Sequence, residues 1–103
     1  MSGRERLPDR RLSETFNLEH AGMKYSVTIS RAPDGRVLES FIQNHKNSSA
    51  SDVAARDCGV LISLCLQHGC PITTIARAPL RNKDGTASGV AGAVIDIITG
   101  LST

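Results

Sequence analysis

Three cysteines and three histidines are the residues of this chain that first suggest chemistry. Cys58 and Cys65 lie seven apart, Cys65 and His68 three apart, and Cys70 follows two residues later. A tetrahedral zinc site needs four converging ligands, usually supplied as two close pairs, and no Cys-x-x-Cys occurs here. Cys58 stands among aliphatic residues, where a reduced cysteine behaves as a small hydrophobe. An odd cysteine count without an apolar leader favours thiols over a disulfide framework. His20, His45 and His68 fall at a strand end, in a loop and at a helix end, and His68 suits the helix dipole without any catalytic role. Neither a Gly-x-Ser-x-Gly motif nor a phosphate loop nor a dinucleotide fingerprint is present. The expectation is no catalytic residue, no metal and no cofactor.

Three polar groups are better suited to binding. The loop Asn44-His45-Lys46-Asn47-Ser48-Ser49 leads into a helix start, where unpaired N–H groups and the dipole favour an anion. Lys46, Ser48, Ser49 and Ser51 therefore form the candidate phosphate or nucleotide site, with local serine capping as the plainer account of the same residues. Arg56 and Asp57 are the candidate interface or buried polar pair. Asp57 shares the Val53–Leu61 side of the helix and could be drawn towards its covered face, while a surface pairing of Arg56 with Asp52 one turn back is the plainer account of Arg56. The third group is the arm 1–12, where Arg4, Arg6, Arg10 and Arg11 outnumber Glu5 and Asp9 and carry the whole net charge of +2. Residues 13–103 balance eight basic against eight acidic side chains. Such an arm is either solvated and mobile or binds phosphate and acidic surfaces.

The elements that must position these groups follow from periodicity. Phe16 and Leu18 alternate with Asn17 and Glu19, then Tyr25, Val27 and Ile29 with Lys24, Ser26, Thr28 and Ser30, which predicts two half-buried strands joined at Ala21-Gly22. Pro33-Asp34-Gly35 is a turn signal, and Val37 to Gln43 predicts a third strand. Short turns make the three an antiparallel meander. The run 51–68 is the central helix. Ser49 or Ser51 can cap it, Asp52 favours its N-terminal end, and Gly69 suits a left-handed C-cap before Pro71. From Cys58 to Leu66 only Ser63 is clearly polar, so this helix should be covered on more than one side. Ile72–Ala78 predicts a short helix. Val90–Ile98 has helical spacing with Ser88 as N-cap and Gly89 and Gly92 for close approach, though its β-branched content also suits a buried strand.

The fold class is thus α+β, in the order βββααα: a three-stranded antiparallel meander packed on a central apolar helix, with two further C-terminal helices. At 103 residues the chain makes one domain, 13–103, behind the arm. Its only aromatic residues are Phe16, Tyr25 and Phe41, so the core is aliphatic and base-stacking platforms are scarce. No apolar run approaches the ~20 residues of a membrane span, which with the absent leader suggests a cytoplasmic protein.

Gly35-Arg-Val-Leu-Glu-Ser-Phe-Ile42, the loop with Lys46, and Leu61-Ile-Ser-Leu-Cys-Leu-Gln-His-Gly-Cys-Pro71 resemble the TSCPD domain. That domain occurs near the C-terminus of adenosylcobalamin-dependent ribonucleotide reductases and as small free-standing bacterial proteins. The pattern Ile-Ser-Leu-x-Leu-x-x-Gly-x-Pro, followed by Ile75, is its most specific part, and the likeness spans roughly residues 14–98. The naming motif, Thr-Ser-Cys-Pro-Asp, would fall at Thr86-Ala87-Ser88-Gly89-Val90, where threonine persists but Cys, Pro and Asp are replaced. A thiol or metal role of that motif does not carry over. The resemblance implies a non-catalytic accessory or regulatory domain that binds a nucleotide or phosphate group, a reductase, or a second copy of itself. It also implies that a reductase label would be inherited from the family, since 103 residues cannot hold the catalytic barrel. The rival is a small nucleic-acid-binding domain using the basic arm and the loop before the helix, although a double-stranded-RNA-binding fold begins with a helix that residues 1–12 cannot supply.

Overall fold

The computed structural model describes residues 3–46 and 49–101. Strands β1 (Leu12–His20), β2 (Met23–Arg31) and β3 (Val37–Asn44) form an antiparallel sheet in sequence order. Ala21 and Gly22 both take positive φ, 51° and 77°, which is the mirror-image turn whose twist matches two paired strands. The register follows directly, with His20 opposite Met23, Phe16 opposite Val27 and Leu12 opposite Arg31. Between β2 and β3 the turn at Pro33–Gly35 is closed by Ala32 and Arg36, and the ladder shifts at Ser30/Arg31.

Helix α1 (Ala50–Gln67) returns antiparallel to β3, α2 (Ile72–Ile75) is a single turn, and α3 (Val90–Leu101) closes the chain. The order is βββααα, α+β as expected. Residues 90–98 resolve as helix, and α2 stops three residues short of Ala78. Gly69, at φ 84°, ends α1 as a left-handed cap, and Cys70 N–H donates to Cys65 O at 2.9 Å.

The inward residues of the meander make the core. Val27, Ile29 and Ile42 pack with Ile62 and Leu66 of α1 and with Val94, Ile95 and Ile98 of α3. Each such side chain contributes about 1.5–3 kcal/mol by leaving water. Gly92 is required for the α3 seat, because a Cβ there would lie 2.9 Å from Ala87 Cβ. Gly89, expected to serve the same purpose, faces open space. Ser88 does not cap α3 either. It gives its hydroxyl to Asn82 Oδ1 at 2.9 Å. The segment 80–88 is instead a small hairpin, pinned to α3 by a two-pronged Arg81–Asp96 pair at 2.7 and 2.9 Å. Arg81 holds the Asp96 carboxyl below its ordinary range.

Candidate functional site

Helix α1 sits beside the sheet and runs along the free edge of β3. The alternation of an antiparallel ladder turns every second backbone N–H and C=O of β3 away from β2. Four of these outward groups meet polar side chains of α1. Asn44 N–H donates to Asp52 Oδ1 at 3.0 Å, and Ser40 N–H donates to Ser63 Oγ at 2.8 Å. Ser40 O lies 3.0 Å from the same hydroxyl, and Leu38 O accepts from Gln67 Nε2 at 3.0 Å. Gly59 fits between them, its absent Cβ leaving room 3.0 Å from Ser40 O and 3.1 Å from Ile42 N. Residues 52, 59, 63 and 67 recur at helical spacing, so one stripe of α1 serves as the missing fourth strand. An uncovered edge would template pairing with another chain, and this one is closed.

That arrangement inverts the usual pattern of a surface helix. Asp52, Ser63 and Gln67 are buried, whereas Val60 and Leu61 remain 52% and 62% exposed. At 100° per residue, the core side of α1 carries Ala55, Ile62 and Leu66, and the opposite side carries Val53, Asp57, Val60 and Leu64. Asp57 is therefore exposed rather than drawn to a covered face, and the buried carboxylate is Asp52, 2% exposed. Arg56 pairs with it, Nε to Oδ2 at 3.0 Å. The exposed side of α1 looks the same way as the outer face of the sheet. There Phe41 stands 53% exposed opposite Thr28, whose hydroxyl bonds Thr15 at 2.8 Å. Thr15, Thr28, Phe41 and Val60 thus make a surface free of charge at its centre, with an aromatic residue in its middle, continued along α1 by Leu61 and Leu64 and bordered by Asp57. Apolar patches of this kind, depleted in charge at the centre, mark interaction surfaces.

The predicted anion site is engaged by the chain itself. Ser49 Oγ accepts from Asp52 N–H at 3.1 Å and donates to Lys46 O at 2.9 Å, so Ser49 is the N-cap. Ser51 is half-buried and Lys46 exposed, while Ser48 lies outside the described residues. The Asp52 carboxylate already faces this helix end. Ser49→Ala is expected to cost about 1 kcal/mol of stability, read as a lowered midpoint in urea with unchanged slope.

The arm runs back across α1 and β3. Glu5 N–H donates to Gln67 O at 2.7 Å, Arg4 Nε bonds Gln67 Oε1, and Arg11 reaches Glu39 at 3.2 Å. Glu5 also takes both arms of Arg36 at 3.0 and 2.8 Å. Arg4 and Arg11 are therefore partnered, whereas no ion pair within the fold engages Arg6 or Arg10 among the described residues. Beside this crossing, a cleft of ≈470 Å³ opens between Arg36 and the exit of α1, lined by Leu66, Cys70, Pro71, Ile72 and Ile98. Its one cation, Arg36, is held by Glu5 and Asp34, which raise its pKa further.

The thiols divide. Cys58 and Cys70 pack against the core, and burial, with a smaller effect of the Asp57 charge, pushes the Cys58 thiol up. Cys65 is exposed, so core packing does not account for it. No three His, Cys, Asp or Glu side chains converge among the described residues. Among the described residues, no helix is long and apolar enough to cross a membrane.

Compared with known proteins, the chain is similar to part of several vitamin B12-dependent ribonucleotide reductases. It is 30% identical over 102 residues to that of Rhodopirellula baltica, covering 92% of this chain and 10% of the relative. It is 35% identical over 75 residues to that of Agrobacterium fabrum, covering 73% and 6%. To that of Bradyrhizobium diazoefficiens it is 35% identical over 72 residues, covering 70% and 6%. The chain thus spans a tenth or less of the length of these relatives. No family model matches it, and no solved structure matches it significantly. The residues that sequence reasoning missed, Asp52, Gly59 and Gln67, carry one available signal: their helical spacing with Ser63, which lies inside the motif noted above.

Proposed function

We propose that this chain is a non-catalytic accessory domain of the ribonucleotide reductase type, acting by docking on a protein partner through the outer side of α1 and β3. The partner is a vitamin B12-dependent reductase, in keeping with the similarity to a small part of such enzymes. The supporting observation is the uncharged surface of Phe41, Val60, Leu61 and Leu64, left exposed by a helix whose polar stripe is spent on the edge of β3. The finer TSCPD assignment rests on Ile62-Ser63-Leu64, Gly69 and Pro71. Within it Ser63 has a structural duty, and Gly69 ends the helix. Nucleotide binding at Lys46 and Ser49 is supported less, because an incoming phosphate would meet the Asp52 carboxylate and a serine already used as cap. A nucleic-acid role for the arm would fall to Arg6 and Arg10 rather than to Arg4 and Arg11.

The test is titration of a purified vitamin B12-dependent ribonucleotide reductase with the chain and with a Leu61→Ser, Leu64→Ser variant. Both positions are exposed, so the variant keeps its stability to within about 1 kcal/mol. Loss of two apolar anchors from an interface centre raises the dissociation constant roughly 30-fold or more. Equal affinity in the variant, or no binding at about 100 µM reductase, where even a weak complex would register, rejects the reading.

A further inference from the structure

The two edges of the sheet are treated differently, and the difference points to a second copy of this chain. Helix α1 closes the β3 edge. On the other side, β1 is nine residues long, holds no lysine or proline, and pairs with β2 without a register shift. Shortness, lysine, proline and bulges are devices by which exposed edges are usually protected, and β1 has none of these; its charges are Glu14, paired with Arg31 at 3.2 Å, and Glu19. Among the described residues, no hydrogen bond from outside the sheet reaches a β1 backbone group.

Which groups face outward is fixed twice over. The two-residue turn makes His20 and Met23 a hydrogen-bonded pair, so by alternation Leu18, Phe16 and Glu14 also address β2. From the other side, Ser40 turns to α1, so its neighbour Phe41 bonds Thr28, and Val27 and Ile29 must address β1. Both routes leave Ser13, Thr15, Asn17 and Glu19 with N–H and C=O pointing away from the sheet.

We propose that two copies pair antiparallel along β1 about a two-fold axis at Thr15, joining two three-stranded sheets into one of six strands with an α1 helix at each end. In this register Thr15 faces Thr15 and Ser13 faces Asn17 through hydrogen bonds. Arg11, which also reaches Glu39 within its own chain, comes opposite Glu19 twice, an opposite-charge match generated by the symmetry. Leu12, 70% exposed in the single chain, comes opposite Leu18 on the inner face. A shift of two residues would set Glu19 against Ser13 and Arg11 against Ala21, and both matches would be lost. The axis stands perpendicular to the sheet, so both outer surfaces of α1 and Phe41 look the same way and stay open. This pairing is therefore independent of docking on a reductase.

Sedimentation equilibrium of the full chain from about 1 to 500 µM, a range that spans weak and strong homodimers, is expected to show a monomer–dimer equilibrium. Thr15→Pro removes the central pair of hydrogen bonds while keeping every backbone bond to β2 and losing only the hydroxyl bond to Thr28, and is expected to raise the dissociation constant about 30-fold. Circular dichroism checks whether this variant is folded. Glu19→Arg alone is expected to weaken the dimer by setting arginine against Arg11, and Arg11→Glu added to it to restore affinity. A strictly monomeric wild type overturns the proposal. So does an undiminished dimer in folded Thr15→Pro, and so does a charge-swapped double variant no tighter than Glu19→Arg. Should Thr15→Pro fail to fold, the charge swap decides alone.

Discussion

Gly59→Val is expected to lower the stability of the domain by about 3 kcal/mol, moving the melting midpoint down by roughly 12 °C or more. Propensity alone predicts the reverse, since replacing a glycine in a helix interior by alanine gains about 1 kcal/mol. Here the sign is set by distance. The first added carbon would lie 3.0 Å from Ser40 O and 3.1 Å from Ile42 N, both backbone atoms of a strand locked into its sheet. Neither can swing aside as a flexible side chain would, so the helix must withdraw. Withdrawal lengthens the bonds of Ser63 and Gln67 to Ser40 and Leu38 in the same movement. Gly59→Ala tests the balance more finely, with a net loss of about 1 kcal/mol once the propensity gain is subtracted from the overpacking cost. Urea unfolding of the three proteins measures the series. A Gly59→Ala protein more stable than wild type would show that α1 does not approach the β3 edge this closely.

Asp52→Ala is expected to cost about 3 kcal/mol, while Asp52→Asn costs about half as much. The side chain is buried and accepts from Asn44 N–H and Arg56 Nε, both at 3.0 Å. Alanine leaves the Asn44 N–H without an acceptor in a buried place, which costs about 1–3 kcal/mol, and removes a charged acceptor from the helix start. Asparagine keeps one oxygen for Asn44 and gives up the charge. The ion pair with Arg56 adds less, because that guanidinium is half exposed and screened. Arg56→Ala, then, is expected to stay within about 1 kcal/mol of wild type. If chemical denaturation ranks Arg56→Ala above Asp52→Asn in damage, the bond to Asn44 is not the important contact. Asp57→Ala serves as the control, since Asp57 is exposed and lies outside this stripe.

The meander was legible because its strands show the ordinary rule. Tyr25, Val27 and Ile29 alternate with polar residues, and the structure buries all three. The helix α1 was legible as a helix, with its cap at Ser49 or Ser51 and its stop at Gly69, because capping and left-handed termination depend on local residue types. Its orientation was not. Hydropathy assigns Leu61 and Leu64 to the interior and Asp52, Ser63 and Gln67 to water, and the structure does the opposite. For the same reason the alternative of a covered Asp57 fails, since Asp52 is the buried carboxylate and Asp57 is exposed. Ser88 was misread through a local rule as well, since a hydroxyl before a helix can serve a neighbouring hairpin as readily as the helix start.

By itself the sequence determined the order βββααα, the aliphatic core and the likeness to a part of B12-dependent reductases. Periodicity and local turn chemistry carry that much. Only the tertiary structure decided which side of α1 is buried. A helix packed on a sheet face needs apolar side chains, whereas one laid along a strand edge must answer unpaired N–H and C=O groups, and nothing in a single chain's hydropathy says which it will meet. That choice buries Asp52, Ser63 and Gln67, needs Gly59, and turns Val60, Leu61 and Leu64 outward, where the proposed docking surface lies.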